Sequence, residues 1–159
     1  MTPPCPQRPR ESANLSPSFL ASLVGPAVVA VLAALSLLHV YWGFDGRLGW
    51  VSVLPETESG PLFVPTAAQS FAVAFGLGVA AFVVAAAAGM VAVPVSPRLL
   101  RIGAYGVGAV FALRAIGEFR YVGFFKRKRG TRFARMDSLV YSPLCVLIAA
   151  GAALVARAV

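Results

Sequence analysis

The residues able to do chemistry in this chain crowd into one stretch, "LRAIGEFRYVGFFKRKRGTRFARMDSLVYSPLC", from Leu113 to Cys145. Arg114, Glu118 and Arg120 stand four and two residues apart, a cluster of cations follows, and Asp137 and Tyr141 close the set. A carboxylate beside a cation in apolar surroundings can form a structural ion pair, hold an anion or carry a proton. His39, the one histidine, adds a group that titrates near neutrality when unperturbed. Tyr41 and Trp42 follow it, and Trp50 is near; such rings favour membrane interfaces.

Metal chemistry has few ligands to draw on. Cys5 lies in a Pro-rich polar tail and Cys145 in an apolar run, so neither a disulfide nor a metal-ligand spacing is expected. The chain also has no nucleophile elbow, nucleotide-binding loop or cofactor signature. The expectation is therefore no metal and no cofactor, and a protein that leans away from being an enzyme.

The elements that position these residues follow from composition. The 159 residues are 58% hydrophobic and 13% charged, with a mean hydropathy of +0.79. A soluble domain of this length cannot hide so much apolar surface, so lipid is the expected solvent. About 20 apolar residues cross roughly 30 Å of hydrocarbon as a helix. Four runs qualify: helices are predicted at about residues 19–41, 67–93, 99–121 and 139–159. The fold class is all-α, a four-helix transmembrane bundle. Residues 1–18 read as a disordered Pro-rich tail, and the run after them is too long for a cleavable signal. Asp137 and Ser138 are suited to cap the last helix, with Pro143 in its first turns.

With four spans, the connector after the first helix and the one after the third share a side of the membrane. His39, Tyr41, Trp42, Arg114, Glu118, Arg120, Asp137 and Tyr141 then meet at one end and form the candidate polar site. Arg114 and Glu118, four apart, are expected to share a helix face and pair. Asp137 is expected to act first as a cap, and His39 as a hydrogen-bonded interfacial residue. Ala72, Gly76 and Ala80, and again Ala104, Gly108 and Ala112, place small residues at four-residue spacing, which permits close helix approach in lipid.

The net charge of +8 fits cations at membrane boundaries better than a nucleic-acid partner, because the basic segment is short and pinned at both ends. Lys126, Arg127, Lys128, Arg129, Arg132 and Arg135 are candidate contacts for anionic headgroups, where arginine offers bidentate bonds.

Two stretches, "HVYWGFDGRLGW" and Leu113–Cys145, resemble a bacterial family of small four-span integral membrane proteins classed as a domain of unknown function. The matching letters are His39, Tyr41, Trp42, Arg114, Gly117, Phe119, Arg120, Gly123, Asp137, Tyr141, Ser142 and Pro143. The resemblance implies a multi-pass protein of the bacterial inner membrane and supplies no mechanism. The favoured reading is a protein that binds an anionic lipid or a membrane-protein partner at its polar end, with self-association open. The alternatives are a membrane-embedded enzyme acting on a lipid or isoprenoid phosphate, and a small proton-coupled transporter.

Lys and Arg are somewhat denser on the side of the first and third connectors, which predicts both termini outside. Single cysteines placed at Ser59 or Thr131 should resist an impermeant thiol reagent in intact cells. Labelling from outside would reverse the orientation.

Overall fold

The computed structural model describes residues 17–46, 54, 56–57, 60–61, 64–127 and 130–159. The tail expected to be disordered therefore lies, up to residue 16, outside the described residues. Among the described residues four helices are long and apolar enough to cross a membrane: Phe19–Gly43, Ala67–Ala87, Pro97–Ile116 and Arg132–Ala158. This is the architecture of a multi-pass membrane protein.

The first helix, α1, runs Pro17–Gly43 with Pro26 inside it. In the connector that follows, β1 (Glu56–Thr57) pairs antiparallel with β2 (Gly60–Pro61). α2 spans Ala67–Ala87 and opens on a reciprocal cap: the Gln69 amide N–H donates to Thr66 Oγ1 at 3.3 Å, and the Thr66 N–H to Gln69 Oε1 at 2.8 Å. α2 stops at Ala87, short of the expected 93, where Ala88 caps it and Gly89 takes φ +70°.

α3 spans Pro97–Ile116, with Ser96 as its cap and Pro97 at its first position. It was expected to continue to residue 121. Instead Gly117 adopts φ +83° and terminates it, its N–H donating to the Leu113 carbonyl at 2.8 Å. The last rod begins earlier than expected. Thr131 accepts from the Ala134 N–H at 3.1 Å and starts α4 (Arg132–Met136). A π-helical turn, Asp137–Tyr141, then leads into α5 (Ser142–Ala158).

That turn has a chemical cause. Pro143 has no N–H, and its ring would collide with the carbonyl four residues back in a regular α-helix. Widening the turn lets the Ser142 N–H reach the Asp137 carbonyl and the helix continue. Asp137 and Ser138 are therefore inside a helical rod and not at its cap, which corrects the expectation for both.

The helices pack around a ring in the order α1, α2, α3, α5. Val28 and Leu32 of α1, Ala81 and Val84 of α2, and Ile148, Ala152 and Val155 of α5 form the core. Most of these lie toward the membrane face that holds the α2–α3 connector. That half is solid, and the half facing the first and third connectors is not. Outward faces remain apolar, as lipid requires: Phe75, Leu147 and Leu37 are all exposed.

The two small-residue stripes part company. Ala104 and Gly108 are buried against α5, and a β-carbon on Gly108 would sit 3.2 Å from the Ala149 carbonyl. Ala72 and Gly76 are exposed, and nothing lies within 4 Å of the place a Gly76 β-carbon would occupy. Gly108→Leu should therefore cost about 1–3 kcal/mol by overpacking, while Gly76→Leu should leave stability unchanged. Unfolding in detergent micelles, followed by circular dichroism, measures both.

Candidate functional site

Asp137 is the centre of the polar end. It has no solvent exposure, and four groups approach its carboxylate. Arg114 Nη2 donates to Oδ1 at 3.1 Å. Lys126 Nζ donates to Oδ2 at 2.9 Å and the Gly123 N–H to the same oxygen at 2.8 Å. The Ser142 hydroxyl lies 3.4 Å from Oδ2. Lys126 is itself buried and also donates to the Gly123 carbonyl at 3.0 Å and to Ser138 Oγ at 2.7 Å.

Two glycines make the arrangement possible. Gly117 and Gly123 both hold positive φ, at +83° and +89°, a region that disfavours side chains. A β-carbon on Gly117 would collide with the Val122 carbonyl, and one on Gly123 with the Ile116 carbonyl. The chain thus doubles back on the end of α3, with the Phe124 N–H donating to the Ala115 carbonyl at 2.9 Å. The fold-back delivers the Gly123 N–H and the Lys126 ammonium to one carboxylate oxygen.

Several expectations are corrected here. Arg114 pairs with Asp137, not with Glu118, because α3 ends at Ile116 and the four-residue helical spacing between Arg114 and Glu118 is lost. Glu118 is exposed and accepts from the Tyr121 N–H at 3.1 Å. Lys126, grouped with the headgroup contacts by its neighbours, is a buried partner of Asp137. Arg120 is exposed and rests over the Tyr121 ring, 5.3 Å from its centre. Tyr41 is exposed too. Arg127, Arg132 and Arg135 are exposed, while Lys128 and Arg129 lie outside the described residues.

Beside the ion cluster the bundle is hollow. A cavity of about 580 Å³ lies between the helices at this end, within the range of roughly 300–1,000 Å³ that encloses one small ligand. Its walls are mainly apolar, with Leu35, Leu38, Leu77, Phe111, Leu144 and Ile148 among them. The polar lining groups are few: His39, Gln69, Ser70, Arg114, Tyr141 and Cys145. The His39 ring is oriented by its Nδ1, 2.8 Å from the Leu35 carbonyl, and by an edge contact with Trp42 at 4.9 Å. Of the expected site residues, His39, Trp42, Arg114 and Tyr141 line this space; Asp137 stands behind Arg114, and Tyr41, Glu118 and Arg120 are elsewhere.

The electrostatics are unbalanced. Arg114 and Lys126 bring two cations to one carboxylate, and among the described residues Arg114 Nη1 is buried without a hydrogen-bond partner. Buried donors are normally satisfied, so a guanidinium with one nitrogen left over, on a residue that lines the cavity, has capacity for a further acceptor. Gln69 and Ser70 went unnoticed in the sequence because polar residues in the first turn of a helix read as caps. No spacing signal announced them.

The chain belongs to the family described as "Protein of unknown function (DUF3995)", whose model matches residues 32–152. The matched span takes in all the cavity-lining residues and the whole ion cluster. Searches of curated proteins and of solved structures give no match.

Lys126 and Arg114 should differ in what they hold. Lys126→Met removes a buried partner and should cost about 3–5 kcal/mol. Arg114 is partly exposed and leaves Asp137 still paired, so Arg114→Gln should cost only about 1 kcal/mol. Detergent unfolding of the two variants checks the order; equal losses would make the three charges one unit.

Proposed function

We propose that the hollow end of this bundle holds one amphipathic anion, with a carboxylate or phosphate-monoester headgroup on Arg114 and an apolar body in the cavity. The observation that carries this reading is Arg114, a guanidinium on a residue lining a mainly apolar 580 Å³ space, whose Nη1 is buried and, among the described residues, without a hydrogen-bond partner. A charge at membrane depth is costly unless paired. With Lys126 holding Asp137, Arg114 can turn its planar donors to an oxyanion without leaving a bare carboxylate behind. Gln69, Ser70 and Tyr141 offer further hydrogen bonds to the same headgroup.

The rim suits the same class of ligand. Arg120, Arg127, Arg132 and Arg135 are exposed, as are Phe119, Phe124 and Phe125. Cations interleaved with aromatic rings at a bilayer surface favour anionic headgroups. We place the protein in a bacterial inner membrane, the setting the family resemblance implies.

Native mass spectrometry of the protein released from mild detergent tests the reading. The wild type should carry one bound anionic amphipath. Arg114→Gln, which removes the guanidinium, and Leu144→Trp, which fills the cavity, should each lose it while circular dichroism shows an intact bundle. A bound species kept by both variants, or an empty wild type that also fails to take up added hexadecyl phosphate, would overturn it.

A further inference from the structure

The ligand's route and source can be read from where the cavity is closed. Toward the first and third connectors, among the described residues, it is covered by Leu54 and by Phe133 of α4, both buried, and by the half-buried Pro65. On the α1 and α5 sides its lining is buried or half-buried. On the α2 side it is more open: Gln69 and Val73 line the cavity and are exposed, while Ser70 is buried and Leu77 half-buried; Phe111 and Arg114 of α3 are half-buried, the Arg114 side chain 37% exposed.

The seam between those two helices has a closed end and an open one. Near the tight Ala88–Ser96 connector a β-carbon on Gly103 would lie 2.9 Å from Val83, so the helices touch. Seven residues apart on a helix share a face. One heptad from Val83 stands Gly76, with no neighbour within 4 Å of its β-position. One heptad from Gly103 stands Val110, 64% exposed. From the connector outward α2 and α3 therefore splay apart, and the gap leads to the cavity at membrane depth.

We infer that the ligand enters sideways, from the lipid leaflet through the α2–α3 seam, and is a single-chain bilayer amphipath bearing a carboxylate or phosphate monoester. This deepens the proposed function and rests on it. A water-borne acid would need an opening through the cover, where Leu54 and Phe133 are packed; a lipid-borne one meets an apolar slot with a guanidinium at its inner end. A cavity of this volume suits one chain and excludes a whole diacyl phospholipid.

The same headgroup chemistry can be offered from both sides. The probes are brominated hexadecyl phosphate, confined to the bilayer, and brominated butyl phosphate, delivered in water. Protein carrying Trp50→Phe in phosphatidylcholine nanodiscs leaves Trp42, a cavity-lining residue, as the fluorophore. Saturable quenching by the hexadecyl probe, with little by the butyl probe, is expected. Val110→Phe, which narrows the seam without lining the cavity or adding a fluorophore that overlaps Trp42, should slow quenching about tenfold, and Leu54→Ala, which thins the cover, should leave it within about twofold. Butyl phosphate quenching as well as the long chain, or Leu54→Ala speeding entry while Val110→Phe does nothing, would overturn the lateral route and leave the binding reading standing. Saturable quenching by neither probe would remove both.

Discussion

One buried carboxylate organises the polar end of this protein. Asp137 sits without solvent in a region where an uncompensated charge costs several kcal/mol. Its neutralisation fixes distant pieces of chain: the C-terminal end of α3 through Arg114, the fold-back loop through Gly123 and Lys126, and the start of α5 through Ser142. Hydrophobic contact cannot do this in lipid, since the surrounding tails are as apolar as the side chains. The ionic cluster therefore supplies at one end what close packing supplies at the other.

The two halves of the bundle divide structure from binding. Around Leu32, Val84 and Val155, each with no exposure, the helices are in contact and the interior is filled. Around His39, Arg114 and Tyr141 the same four helices enclose a space. The fold-back at Gly117 bears on both. It ends α3 two residues after Arg114, so that the guanidinium stands at the rim of the hydrocarbon and beside the cavity, and it brings Lys126 inward so that Arg114 is not the sole partner of Asp137.

The helices were legible from length and composition because lipid enforces both. The charge pairing was not. Arg114 and Glu118 stand at helical spacing, and only the positive φ of Gly117 shows that no helix joins them. Lys126 opens a run of like residues, and nothing in its identity separates the buried ammonium from its exposed neighbour Arg127. Ala104–Gly108 and Ala72–Gly76 are the same pattern; only the former has a helix against it. His39, Trp42, Arg114 and Tyr141 could be assigned to one end by counting spans, but the hollow beside them depends on how α2 and α3 diverge, a property of packing that no single residue encodes.

The widened turn at Asp137–Tyr141 has a consequence for how this sequence can vary. One residue more than a regular α-helix needs rotates everything before it by about 100° relative to everything after. In a regular helix Cys145 would stand about 120° round from Phe133; the offset brings it onto the inward side that Phe133 and Asp137 occupy. Removing any one residue between Asp137 and Pro143 would close the turn to a regular one and leave the two flanks in their present phase, with the carboxylate still toward Lys126, but it would set the proline ring against a helical carbonyl. The proline and the extra residue are thus one feature, and relatives that keep the ion cluster should have both or neither.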